Sequence, residues 1–198
     1  MDSINLKMDG QAVQAAPGQT LLAVARAQGI VIPTLCQDDR LAPYGACRLC
    51  LVEIRRGRNS RLVASCGYPA EEGLDVLTDS PRVRKVRGLM IELLLAMMPT
   101  SPEVQELARK YGVTASRYQR DLHYCILCGL CVRYCEEVKG HAGIGYVGRG
   151  VSREVAWIPI EGTDDACRLC AECQHLCPTG VFPSNWGLAQ NTVLRADE

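Results

Sequence analysis

The chain has 198 residues, with 22 basic and 22 acidic side chains and a formal net charge of zero. With 22% charged and 47% hydrophobic residues it reads as a globular protein. That balance excludes a disordered segment, a nucleic-acid binder held by bulk charge and a polybasic membrane anchor.

From the N-terminus, MDSINLKMDG has no basic stretch followed by an apolar one, so no secretory signal is expected. Ile4, Leu6 and Met8 alternate with polar residues. Asp9-Gly10 is a hairpin turn signal, and Ala12-Val13 begins a returning strand. Pro17-Gly18 breaks the pattern. A helix is expected from Thr20 as N-cap to Gly29, burying Leu21, Leu22, Val24 and Ala25. Residues 51–54 read as a strand, 57–59 as a turn and 61–64 as its partner. A last short strand is expected over 74–77.

Ser80-Pro81 is an N-cap followed by proline at the first helical position. Val83, Val86, Met90, Leu93, Leu94 and Met97 recur at helical spacing up to Pro99. Ser101-Pro102-Glu103 opens a second helix, in which Val104, Leu107, Ala108 and Tyr111 share a face and Gly112 is the stop. These helices are expected either to link two metal domains and offer a docking face, or to be a packed linker with only its own core. The longest apolar stretch, residues 89–98 with Glu92 inside it, is about half the ~20 residues a bilayer span needs. No membrane insertion is expected. Further on, Gly143, Gly145, Gly148 and Gly150 punctuate residues 144–157, which predicts a hairpin.

The outlier in composition is cysteine, with 12 residues in three groups of four. Cys36, Cys47, Cys50 and Cys66 are spaced C-x10-C-x2-C-x15-C. Cys125, Cys128, Cys131 and Cys135 follow C-x2-C-x2-C-x3-C. Cys167, Cys170, Cys173 and Cys177 repeat that spacing and are followed by Pro178. The chain is placed in the cytoplasm, where structural disulfides are rare, so the thiols point to metal.

Iron and inorganic sulfide match soft thiolate ligands. Three cysteines at three-residue intervals wrap one cubane from a tight loop, and the fourth corner must come from elsewhere. In two-cluster ferredoxins the fourth cysteine of each run ligates the other cluster. On that pattern Cys125, Cys128, Cys131 and Cys177 hold one 4Fe–4S cluster, and Cys167, Cys170, Cys173 and Cys135 hold the second. Zinc sites usually pair two C-x2-C knuckles, and these runs do not split into such pairs. The first group is less decisive, and on spacing alone a zinc site of four cysteines stays open. Gly45 and Ala46 before Cys47 let backbone amides approach cluster sulfurs, which favours iron.

The run IPTLCQDDRLAPYGACRLCLVEI resembles the N-terminal 2Fe–2S domain of the large Fe–S subunit of respiratory complex I. It equally resembles the diaphorase Fe–S subunit of NAD-reducing nickel–iron hydrogenases and subunits of NAD-dependent formate dehydrogenases. CILCGLCVRYCEEVKG and CRLCAECQHLCPTGVF resemble the cluster region that follows in the same proteins. The resemblance implies a 2Fe–2S centre on Cys36, Cys47, Cys50 and Cys66, two 4Fe–4S centres on the eight later cysteines, and a role as an electron wire beside a flavin/NAD(H)-binding Fe–S subunit. Two departures stand out. Residues 81–120 contain neither Cys nor His, so a further cluster that many relatives bind there is expected to be absent. The chain also stops soon after its last cysteine, so no molybdopterin-type domain is expected.

The three histidines are secondary. Four cysteines already serve each cluster, which leaves His123 a structural residue before a ligand. His175, inside the last run, reads as a solvent-facing loop residue before a tuner of potential. His141 reads as a surface residue. Arg55, Arg56, Arg58 and Arg61 crowd one hairpin tip, and Arg82, Arg84, Lys85 and Arg87 open a helix. Both groups read as solvated faces first and as docking sites for an acidic partner second. The glycines of residues 143–150 match no dinucleotide fingerprint, so no flavin or NAD site is expected, and no nucleic acid.

The sequence therefore predicts an α+β chain in three parts: a β-grasp 2Fe–2S ferredoxin domain (1–79), a helical linker (80–117) and a two-cluster ferredoxin-like domain (118–198). Its expected role is a non-catalytic iron–sulfur electron-transfer subunit of a multi-subunit NAD(P)-linked oxidoreductase, relaying single electrons between a flavin/NAD(H) subunit and hydrogenase subunits. The same role in a formate dehydrogenase or an electron-bifurcating complex is the alternative. A free ferredoxin-type carrier and a zinc-stabilised adaptor stand behind it.

Overall fold

The structure is a computed structural model that describes residues 3–118, 124–158, 170 and 172–180. Strands β1 (Ile4–Met8) and β2 (Gln11–Ala15) form an antiparallel hairpin. Its turn needs positive φ at both central residues, and Asp9 (φ 49°) with Gly10 (φ 84°) supplies it. The alternation works as expected: Leu6, Met8, Val13 and Ala15 point inward while their neighbours face solvent.

Helix α1 (Leu21–Ala27) starts where the Thr20 hydroxyl accepts a hydrogen bond from the Ala23 amide at 3.2 Å. It lays Leu21, Leu22, Val24 and Ala25 on the same core. Strands β3 (Leu51–Arg56) and β4 (Asn59–Ala64) make the second hairpin. The short β5 (Asp75–Leu77) runs parallel to β1 and antiparallel to β3, giving the order β2-β1-β5-β3-β4. That mixed five-stranded sheet with one helix packed on its core is the β-grasp arrangement expected for the N-terminal part. The Asp9 carboxylate accepts from the Thr78 amide (2.7 Å) and hydroxyl (2.5 Å), fixing the exit of β5 against the first hairpin.

Helix α2 (Pro81–Met97) begins at Ser80, whose hydroxyl accepts from the Val83 amide and donates to the buried Glu53 carboxylate on β3 at 2.6 Å. The cap therefore also anchors the helix to the sheet. Its inward face differs from the expected stripe. Val83, Arg87, Ile91, Leu94 and Met98 are buried, whereas Val86, Met90, Leu93 and Met97 are only partly covered. The apolar count hid this register because a buried arginine occupies the inward face.

Helix α3 (Pro102–Tyr111) packs back on α2 and ends at Gly112 in the left-handed region (φ 68°). Ile91, Leu94, Met98, Val104 and Ala108 form one cluster with Leu35 and Leu49 from the N-terminal loops, and Tyr124 and Ile126 pack against it. The helical pair is thus a shared core between the two cysteine regions and not a spacer.

Beyond it lie α4 (Leu130–Arg133), a π-helical turn (Tyr134–Val138), the hairpin β6 (Ile144–Val147) with β7 (Glu154–Trp157), and α5 (Glu172–His175). The hairpin matches the glycine-punctuated segment. No helix among the described residues is long and apolar enough to cross a membrane.

Candidate metal centres

Cys36 lies in the loop after α1, Cys47 and Cys50 in the loop entering β3, and Cys66 just past β4. Cys36, Cys50 and Cys66 are buried and Cys47 is half-buried. The Sγ atoms of Cys36 and Cys47 are 3.3 Å apart. Backbone amides add to the same spot: Leu35 N–H donates to Cys47 Sγ (3.5 Å) and Cys47 N–H to Cys36 Sγ (3.4 Å). Cys50 and Cys66 are hydrogen-bonded in the same way as a second pair.

The bond accepted from Cys36 brings the Cys47 thiol down to about 6, and the bond accepted from Cys66 does the same for Cys50. The donors Cys36 and Cys66 are pushed up. Gly45 holds φ 71°, and a Cβ there would sit 4.0 Å from Cys66 Sγ, so the backbone passes close to the thiols as the small residue suggested. Two pairs of thiols fed by backbone donors suit a two-iron centre, each iron taking one pair. Among the described residues, no three His, Cys, Asp or Glu side chains converge as a single bound ion requires.

Among the described residues the second and third cysteine runs come together. Thr179 donates its hydroxyl to the Tyr124 carbonyl (2.7 Å), which carries Cys177 back to the first run. Cys125 and Cys128 each sense the Cys177 thiol. Cys131 senses Cys125, Cys128 and Cys173. Burial raises all three of these thiols, with Cys128 pushed up to about 11. Leu127 (φ 52°) and Gly129 (φ 78°) make the tight turns that let this run fold on itself. Separately, Cys135, Cys170 and Cys173 line one cavity together with Tyr134, Lys139 and His141. Cys167 and His123 lie outside the described residues.

The two regions meet. Cys36 and Cys128 are buried in one packed cluster with Leu41, Leu130 and Tyr134, and Cys47 and Ile126 pack against it. Cys131 sits in the next cluster, against which Cys173 packs.

Other expected residues are placed as follows. His175 is exposed, on the short α5 and not on a loop. His141 was expected at the surface, but it is half-buried and lines the Cys135 cavity. At the hairpin tip Arg56 pairs with Glu71 (2.7 Å) and Arg61 donates to the Tyr68 hydroxyl (3.0 Å), so both are used within the chain. Arg84 is held by Asp79 (2.9 Å from Nε). Arg87, grouped with the solvated cations in the sequence, is 2% exposed. Nothing local marks it, because its acceptors, three main-chain oxygens and the Tyr111 hydroxyl, lie nine or more residues away in sequence.

A family model described as a 2Fe-2S iron-sulfur cluster binding domain matches residues 1–81. Among curated proteins, the chain is 33% identical to an NADH-quinone oxidoreductase subunit of Rhizobium meliloti (strain 1021), over 96% of this chain and 26% of that protein. It is 30% identical to the NADP-reducing hydrogenase subunit HndD of Solidesulfovibrio fructosivorans, over 92% of this chain and 36% of that one. The chain thus spans about a quarter to a third of the length of these relatives. A chain in a crystal structure of NAD+-reducing [NiFe]-hydrogenase in the H2-reduced state superposes with a TM-score of 0.71. It shares 32% identity over 81% of this chain and 77% of that one.

Proposed function

The chain belongs to the family of iron–sulfur subunits found in NAD(P)-linked oxidoreductases and hydrogenases, and we propose that it is the electron relay of such a complex. In this reading residues 1–79, 80–117 and 118–198 are a 2Fe–2S domain, a helical connector and a two-cluster domain. Cys36, Cys47, Cys50 and Cys66 hold the 2Fe–2S centre. Cys125, Cys128, Cys131 and Cys177 hold one 4Fe–4S centre, and Cys135, Cys167, Cys170 and Cys173 hold another. The partners are a flavin/NAD(H)-binding subunit and a hydrogenase or other dehydrogenase subunit, and the compartment is the cytoplasm. Clusters bound at these thiols supply one-electron redox change.

The observation that carries the reading is the burial of Cys36 and Cys128 in one packed cluster, with Cys131 and Cys173 adjoining in the next. In this reading the three groups of thiols follow one another, and no other centre is needed between the first and the second. The chain's own side chains serve that arrangement. Leu41, Ile126 and Leu130 exclude water between the first two groups. The Leu35 and Cys47 amides donate to sulfur and favour its negative form. Lys139 brings a cation to the third group, its ammonium paired with the Glu172 carboxylate beside Cys173.

The test is freeze-quench electron paramagnetic resonance on the assembled complex, reduced through its flavin subunit. Cys128→Ala is expected to leave the 2Fe–2S signal and to stop electrons reaching the cluster beyond. Reduction of the remaining cluster at the native rate would overturn the serial relay.

A further inference from the structure

Arg87 carries a permanent charge on the inward face of α2, where it is 2% exposed. All three nitrogens of its fork donate, through four of the five N–H groups. Nε donates to the Leu49 carbonyl at 2.9 Å, and Nη2 to the Leu51 carbonyl at 2.7 Å and the Thr78 carbonyl at 3.2 Å. Nη1 donates to the Tyr111 hydroxyl at 2.7 Å, with the guanidinium 5.4 Å from that ring's centroid. The one carboxylate facing it among the described residues is Asp79, whose Oδ1 is 3.8 Å from Nη1 and whose other oxygen serves Arg84.

Leu49 and Leu51 flank Cys50, so the guanidinium grips the peptide that enters that cysteine and the Leu51–Val52 peptide one residue beyond it. The Leu49 oxygen belongs to the peptide joining Leu49 to Cys50, and the peptide bond is trans. Its oxygen is held toward α2, so its N–H faces away from α2. Main-chain oxygens and a phenol stabilise a guanidinium without cancelling its charge. A buried cation held only partly compensated is costly unless something else of opposite charge lies near.

We infer that Arg87 is the positioning and counter-charge residue of the 2Fe–2S site, fixing the Cys47–Cys50 loop and favouring the reduced form of the centre. The inference rests on the ligand assignment above. The centre gains one negative charge when it takes one electron. A fixed cation bonded to the carbonyls of the two residues that flank Cys50 stabilises that form more than the oxidised one, in a setting where charges are weakly screened. The helical pair is then more than a connector, because it delivers this charge to the N-terminal site.

The experiment is redox titration of the 2Fe–2S signal in the full chain, alongside iron content and thermal melting. Arg87→Met is expected to shift the midpoint negative, with an about tenfold lower reduced-to-oxidised ratio at a fixed potential (about 59 mV for one electron). Arg87→Lys keeps the charge but not the fork, so its midpoint should stay near native while the melting temperature falls. Asp79→Asn removes the facing carboxylate from a half-exposed position and should shift the midpoint positive, which keeps the test open if Arg87→Met does not fold. Unmoved midpoints in the folded variants would reduce Arg87 to a packing residue and overturn the inference. Absence of a 2Fe–2S signal from the unsubstituted protein would instead overturn the ligand assignment on which it rests.

Discussion

Arg40 lies over the ring of Tyr134, its guanidinium carbon 4.7 Å from the centroid, and donates to the phenol oxygen at 3.4 Å. Arg40 stands between Cys36 and Cys47, and Tyr134 between Cys131 and Cys135, so this one contact joins two thiol groups. Tyr134 in turn donates to Glu172 Oε2 at 2.6 Å, reaching the last cysteine run. Three segments that share no local sequence signal are tied at a single ring.

Replacing Arg40 with alanine should lower the melting temperature and loosen the N-terminal loops from the second cysteine run. Tyr134→Phe keeps the ring under Arg40 and loses the bond to Glu172 together with the longer one accepted from Arg40. It is expected to retain that docking while reducing the occupancy of the cluster proposed at the Cys135 cavity. Iron content and thermal melting of both variants check this. Native values in both would contradict it.

Glu92 gives a pH dependence. Arg117 donates to both of its oxygens, through Nε (2.7 Å) and Nη2 (2.9 Å), and the Arg117 amide donates to Oε1 (2.8 Å). These bonds hold the carboxyl at about 2, below its ordinary value of 4.5. A carboxylate lowered on folding contributes stability that is full above the unfolded value and lost as pH falls through the folded one. Melting temperature should therefore drop between about pH 4.5 and pH 2, and the drop should be smaller in Glu92→Gln. An identical pH slope in the two proteins would contradict the assignment.

Two glycines separate strain from crowding. Gly112 holds φ 68° with open space around it, so Gly112→Ala costs only the left-handed backbone, about 1–2 kcal/mol. Gly129 holds φ 78°, and a Cβ there would lie 2.7 Å from the Tyr146 hydroxyl and 3.3 Å from the Tyr44 ring. Gly129→Ala should cost more and should deplete the centre proposed on Cys128 and Cys131, as read by iron content. Equal effects of the two substitutions would show that the Tyr44–Tyr146 wall yields.

Leu49 is fully buried in the cluster that joins the N-terminal loops to α2 and α3. Leu49→Ala should destabilise by about 2–5 kcal/mol, and Leu49→Met by less than about 1.5 kcal/mol. Denaturant unfolding of the intact chain measures both. Loss of stability without loss of the 2Fe–2S signal would show that the Cys47–Cys50 loop holds its shape without this packing.

The strands, α1 and the starts of α2 and α3 were legible because their signals are local: alternation in residues 4–8, the Asp9-Gly10 turn, Thr20 as a cap, and Ser-Pro at residues 80–81 and 101–102. The approach of the second and third cysteine runs was legible because spacing limits what a chain can wrap. Arg87 was not, since a cation in a run of cations reads as solvated until its main-chain acceptors are known. The same holds for Glu92, which looked like a break in an apolar stretch and is the anchor of Arg117. His141 was misplaced for a related reason. Its neighbours in the cavity come from the distant residues Cys170 and Cys173.

The most direct test of the account is iron, sulfide and zinc per chain on anaerobically purified protein, with electron paramagnetic resonance of the reduced sample. The account expects about ten irons, no stoichiometric zinc, and one 2Fe–2S signal beside two interacting 4Fe–4S signals. Eight irons with one zinc would make the N-terminal site a structural knuckle. Little iron with about three zincs would contradict electron transfer altogether.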